Sequence, residues 1–329
     1  RPMGGLSSFH ITPTDHQYWD TIGSDGRSEG TTNLERFKVY APGDGLIVDI
    51  EHHTDYRVVI EHSCIFYTIF IHVDKLSDKI MAAAGLKEGE VGNHAWPRIP
   101  VEEGEVIGTI GVGKLDFSVI DANVTLKGFV KPESYEGEPW KIHAVDTFDY
   151  YEEPLKSRLL DKNIRKVPPL GGKIDYDIDG RLVGTWFKEN TNGYRGLGNE
   201  QYWGSHLSIV YDAIDPSQVR ISIGDFGGRQ GQLQFGVKGN SPGPAEVNTA
   251  DGMVKYELVA YEYYLEGTGQ PWDLGKFAND VKSRNKNDDV RGVALLQLLP
   301  DRKLKAEFFP DKKAVEVSGF TPSAMIYER

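Results

Sequence analysis

The residues of this chain best suited to chemistry by type and spacing are His10, Asp15, His16, Asp20, His72, Lys114 and Asp116. His16 and Asp20 form an H-x-x-x-D pair, His72 closes the apolar run Ile69-Phe70-Ile71, and Lys114 and Asp116 alternate with Leu115 and Phe117. Imidazoles and carboxylates bind divalent cations, and three such ligands leave one coordination position for a water whose pKa falls to about 7. His10 and Asp15 lie close enough to His16 to supply a replacement ligand or to hold the far side of its ring. Each residue also has a plainer reading. H-x-x-x-D recurs by chance, His72 on an apolar strand fits a hydrogen-bonded core histidine, and strand alternation turns one face, and so Asp116, outward. Other chemistries lack their residues: there is no G-x-S-x-G elbow, Cys64 has no catalytic setting, and Gly196-Leu197-Gly198-Asn199 lacks the lysine of a phosphate-binding loop.

The elements that must position these groups read as strands. Between Lys38 and Phe117, short apolar stretches (Val39 to Tyr40, Leu46 to Ile50, Arg57 to Glu61, Ile65 to Ile71) are divided by Gly, Pro and Asp turns. Ser77 to Leu86, with three successive alanines and Gly85 near its end, predicts one short helix, and Lys87 to Pro100 reads as loop.

Length and composition set the frame. A chain of 329 residues suits two domains of about 150 residues each. Its 39% hydrophobic and 11% aromatic content describes a folding chain. A net charge of -12 disfavours nucleic acid and anionic lipid as partners, and no apolar run reaches the ~18 residues of a membrane span. With Cys64 alone there is no intrachain disulfide framework. The opening Arg1-Pro2-Met3, without initiator methionine or signal peptide, reads as a mature form from which a leader was removed. The expected division is residues 1–160 as one domain, 161–172 as a Pro- and Gly-rich linker, and 173–329 as a second domain.

Four segments in order carry a family resemblance: His16 to Asp20; Tyr40-Ala41-Pro42-Gly43-Asp44-Gly45-Leu46-Ile47; Val58-Val59-Ile60-Glu61-His62 running to His72; and Val101 to Gly111. Over about 110 residues this series resembles the lysostaphin-type (LytM-like) zinc metallopeptidases, with their H-x-x-x-D ligand pair, a hairpin of the duplicated hybrid motif and a "Y-A-H" histidine. The resemblance implies that His16 and Asp20 are the first two metal ligands and that His72 positions or deprotonates the attacking water. It implies an extracellular or periplasmic location, and a peptide or cell-envelope glycan as partner. The chain departs from the family where His-Leu-His-Phe is expected: Lys114 replaces the catalytic histidine and Asp116 the third ligand. A histidine with two carboxylates can still bind a divalent metal, zinc by the resemblance, although oxygen ligands favour harder ions. Lys114 is the more damaging change, because an ammonium is repelled by a dication and is no base unless its pKa falls far. His62 matches a family histidine that is not a ligand.

Beyond residue 165 the alternation is cleaner. Val219, Ile221 and Ile223; Leu233, Phe235 and Val237; Leu304, Ala306 and Phe308 each skip a residue, so antiparallel strands with one buried face are expected. About eight or nine strands in a meander predict a barrel or sandwich, with a helix over Trp272 to Lys286. Gly184-Thr185-Trp186 is similar to the G-x-W of lipocalin-like (calycin) barrels, and such a barrel is either filled by side chains or holds one small ligand. The whole chain is therefore read as all-β. Two functions stand: a degenerate metallopeptidase-like pseudoenzyme that binds a metal, glycan or peptide and bears a β-barrel, or a metal-dependent hydrolase with His16, Asp20 and Asp116 as ligands.

Overall fold

A computed structural model describes residues 10–21, 37–87, 89–110, 114–197, 202–229, 233–274 and 276–329. Gly111, Gly198 and Asn199 lie outside them. The chain builds two separate β-systems, an eight-stranded sheet and a closed eight-stranded barrel, so the all-β expectation holds. Among the described residues no helix is long and apolar enough to cross a membrane.

The sheet runs β1 (Gln17–Asp20), β8 (Lys114–Asp121), β5 (Phe66–Leu76), β4 (Tyr56–Ser63), β3 (Gly45–His52) and β6 (Gly92–Val101), with β2 (Lys38–Tyr40) and β7 (Val106–Ile110) paired beside it. All pairings are antiparallel. Alternation sends Ile47, Ile50, Val58, Ile60, Phe70, Val73, Phe117 and Val119 into one core. The opposite face carries Asp116 and Ser118 with Ile69 and Ile71 of the neighbouring strand, and this is the face of interest. The helix expected near Ser77 is α1 (Asp78–Ala84), stopped at Gly85 in the left-handed region (φ 67°) that glycine tolerates. His62 braces the β3–β4 hairpin through the Asp44 carbonyl (2.8 Å) and Thr68 Oγ1 (2.9 Å).

Lys87 to Pro100 is not all loop, because β6 pairs along β3. Its prolines, Pro97 and Pro100, are tolerated because β6 is an edge strand and donates to one neighbour only. Residues 122–183 lie outside the named strands. They hold short 3-10 turns and α2 (Leu155–Asp161), and they pack on the barrel through Phe129, Tyr135 and Ile174, which bury against Phe187 and Tyr194.

The barrel is a meander closed by β9 (Gly184–Lys188): β10 (His206–Tyr211), β11 (Val219–Ile223), β12 (Gln234–Val237), β13 (Met253–Leu265), β14 (Val281–Leu299), β15 (Lys303–Pro310) and β16 (Met325–Glu328) follow in order. The predicted helix over Trp272 to Lys286 is absent, since Val281 onward pairs with β13 in a long hairpin arm. Leu207, Ile209, Ile221, Leu258, Leu296 and Tyr256 fill the interior with side chains. Trp186 is fully buried and donates from Nε1 to the Leu182 carbonyl (2.9 Å), while the Arg329 guanidinium lies 4.0 Å from its ring centroid. Gly184 is obligatory beside this stack, because at φ 134° a Cβ would stand 2.2 Å from both Arg329 and Asp177. A cavity of about 290 Å³ opens at this end, lined by Trp186, Arg329, Asp179 and Arg302 among others.

Candidate functional site

Three strands bring the sequence-selected residues to one place. In the β1–β8 ladder Tyr18 faces Asp116 and Asp20 faces Lys114, so these four share a face with His16, which directly precedes the strand. On β5, Ile71 pairs with Asp116, and regular alternation would turn His72 into the opposite core. A bulge prevents this. Tyr56 pairs with Val73 and Val58 with Phe70, so Ile71 and His72 together oppose Arg57, and His72 adopts φ 70°. The extra residue returns the imidazole to the site face.

Asp116 is the centre of the site. Its Oδ2 lies 3.3 Å from His16 Nε2 and 3.4 Å from His72 Nε2, and its Oδ1 is buried with no hydrogen-bond partner among the described residues. Each imidazole has a second carboxylate behind it. Asp15 Oδ1 is 3.1 Å from His16 Nδ1, and Asp55 Oδ2 is 2.6 Å from His72 Nδ1. Asp15, His16, Asp116, His72 and Asp55 therefore alternate carboxylate and imidazole across the site. The carboxylates of Asp116 and Asp55, through hydrogen bonds and charge, push the pKa of His72 up to about 10 against the opposing effect of burial. His72 is thus an imidazolium at neutral pH that donates from Nδ1 to Asp55 and pairs more loosely with Asp116.

Asp15 is anchored from behind by Trp140 Nε1 (2.9 Å) and Lys141 Nζ (3.1 Å), and Lys141 also pairs with Glu138 (2.8 Å). Burial alone would raise the Asp15 pKa, but Lys141 and His16 hold it well below the usual carboxylate range. Burial likewise opposes the charge on Lys141, and Asp15, Tyr194 and Glu138 outweigh it and raise its pKa well above that of ordinary lysine. An ionised Asp15 only accepts, so the contact at His16 Nδ1 is one in which the ring donates. His10 stands with its ring centroid 5.4 Å from that of His16. Burial, with the charges of His16 and Lys141, lowers its pKa to about 4, so it is neutral at pH 7.

Lys114, whose ammonium a metal would repel, leans over the Tyr18 ring, 5.4 Å from its centroid. Tyr18 in turn lies edge-on to His16, at 5.0 Å. Asp20 ends β1 opposite Lys114, and burial of its carboxyl, with the nearby Asp116 charge, raises its pKa against the pull of Lys114. The structure thus brings together His16, Asp116 and His72, with Asp15 behind and His10 beside them, and places Asp20 on the same face opposite Lys114. Among the described residues no group of three His, Cys, Asp or Glu side chains is arranged to hold a metal ion.

Three residues of the site escaped the sequence reading. Asp55 lies in a polar hairpin turn that carries no motif, and Trp140 and Lys141 reach Asp15 from far along the chain. The only signal for Lys141 is its burial, 5% exposed, which for a lysine demands a partner.

Among solved structures, the NMR solution structure of lysostaphin is similar to this chain, with 96% of this chain and 80% of that chain covered, 11% identity and a TM-score of 0.24. No family model matches the chain, and no curated protein matches it.

Proposed function

We propose that this chain is a binding protein built on a lysostaphin-type peptidase scaffold whose catalytic groove has become a carboxylate–histidine cluster. The observation that carries this reading is Asp116. At the position where the resemblance places the third ligand, its Oδ2 stands 3.3 Å from one imidazole nitrogen and 3.4 Å from another, whose ring is a cation. His72, an imidazolium held by Asp55, donates a proton rather than taking one from water. Lys114, packed on Tyr18, adds a second positive charge where the family has a histidine. The partner consistent with the scaffold is a peptide or cell-envelope glycan met outside the cytoplasm. It would lie across the sheet face where the half-buried Ile71, Arg57 and Asp49 adjoin the site.

The barrel is proposed to be lipocalin-like, by the Gly184-Thr185-Trp186 start and the Arg329–Trp186 stack. Its packed interior leaves the end cavity, small by the standards of drug-sized ligand sites, as the place for a small ligand.

The alternative, hydrolysis with His16, Asp20 and Asp116 holding a metal, draws on one feature. Metal-bound imidazoles usually have a carboxylate on the far nitrogen, as His16 has Asp15 and His72 has Asp55. The test is a titration of the isotope-labelled protein with cell-wall peptides and glycan fragments, followed by NMR, with the same fragments assayed for cleavage. Saturable shifts at residues around His72 and Asp116 with the fragments left intact are expected. Cleavage that requires added metal would overturn the binding reading in favour of the hydrolase.

A further inference from the structure

The segment carrying His10, Asp15 and His16 is held by the barrel at both of its ends. At the start, Gln234 Nε2 of β12 donates to the His10 carbonyl (2.6 Å). At the other end the connection runs through a buried cation. Asp15 Oδ2 takes the Lys141 ammonium at 3.1 Å, and that ammonium stands 4.6 Å from the centroid of the Tyr194 ring. An aromatic face stabilises a cation best where water is excluded, and Lys141 is such a case.

Tyr194 is itself a fixture of the barrel. It is buried, its carbonyl accepts from His206 Nε2 of β10 (2.9 Å), and its ring packs against Phe187 of β9 (6.3 Å) and Tyr135 (5.8 Å). A carbonyl only accepts, so the His206 proton is on Nε2. From barrel to site the order is His206, Tyr194, Lys141, Asp15, His16. Asp15 cannot turn away from His16 Nδ1 without breaking its bonds to Lys141 and Trp140, and Lys141 cannot move without leaving Tyr194.

We infer that Tyr194, Lys141 and Gln234 are positioning residues for the site, so that the barrel sets the orientation of the His16 imidazole through the carboxylate of Asp15. The inference rests on the reading of His16 as a residue of the binding site. Its test needs no ligand, and so fails or succeeds separately from that reading. A displacement of β12, which carries Gln234, or of the 3-10 turn Gly193–Arg195 between β9 and β10, which carries Tyr194, would be transmitted to the imidazole as a loosened Asp15.

The experiment is nitrogen NMR of the histidine rings in the full chain at fixed pH, with His16 assigned by its loss in His16→Gln. In Tyr194→Leu, Lys141→Met and Gln234→Leu, the His16 Nδ1 signal is expected to move from its native position as the hydrogen bond to Asp15 loosens. His72, backed by Asp55, is expected to keep its signals. Tyr194→Phe retains the aromatic face and is expected to leave His16 unchanged, which separates positioning from a general loss of packing. Native His16 signals in folded Tyr194→Leu and Gln234→Leu would overturn the inference. Should Tyr194→Leu fail to fold, Gln234→Leu decides alone, since it removes the hydrogen bond to the His10 carbonyl and leaves the buried Lys141 charge in place.

Discussion

His72 Nδ1 lies 2.6 Å from Asp55 Oδ2, whereas the other nitrogen of the same ring stands 3.4 Å from Asp116 Oδ2. The short contact is a charge-assisted hydrogen bond, and the longer one is a looser ion pair. Asp55 therefore does much of the holding, although it sits in the β3–β4 turn. Asp55→Asn is expected to lower the His72 pKa from about 10 by ~1 unit or more, the scale of losing one charged partner. Proton NMR titration of the ring measures it. Because the folded-state value is raised, the stabilisation from His72 is present in full below the unfolded value of 6.5 and is lost as pH climbs toward about 10. A His72 titration unaltered in Asp55→Asn would contradict this account.

Breaking the pair behind His16 should be costly in a way that removing it is not. Lys141 and Asp15 are both buried, and removing one charge leaves the other uncompensated. Lys141→Met alone is expected to destabilise by about 3–5 kcal/mol. The double variant Asp15→Asn, Lys141→Met is expected to lose much less than the sum of the two single changes. Urea denaturation reads both, and additive losses would show that the pair is not coupled.

The barrel carries a separate acid sensitivity. His206 is buried, and burial lowers its pKa to about 3 from 6.5. A depressed folded-state value means that its contribution is complete above 6.5 and is lost as pH falls from there toward 3, because only the unfolded chain then takes the proton. His206→Gln, which can still donate to the Tyr194 carbonyl, should flatten the stability profile between those limits. A slope as steep as that of the native protein would assign the acid sensitivity elsewhere.

Trp186 fills the barrel end beneath Arg329. Trp186→Ala is expected to destabilise by about 3–5 kcal/mol, the usual range for emptying a buried aromatic site. Denaturation of the variant checks it, and a loss below ~1 kcal/mol would mean that the end collapses to fill the space.

Period-two alternation made most strands readable: Leu304, Ala306 and Phe308 line the barrel interior as their spacing implies. It failed where a strand is held by its neighbour rather than by its own composition. β6 contains two prolines and a glycine, and is a strand because β3 pairs with it. Lys282 to Arg291 is polar on both faces and forms part of the hairpin arm closed by β13. The site was legible where chemistry and motif coincide, at His16, His72 and Asp116. It was opaque where geometry arises from a bulge or a distant partner. Nothing local marks His72 for the left-handed region, and Trp140 meets Asp15 across 125 positions.

The central claim, that the groove has given up its metal for a carboxylate–histidine cluster, is tested most directly by metal content. Elemental mass spectrometry would be run on protein incubated with zinc, manganese or calcium and then dialysed, alongside Asp20→Ala and Asp116→Ala. The account predicts no stoichiometric metal in any of the three proteins. One equivalent retained by the native chain and lost in both variants would contradict it and restore the hydrolase reading.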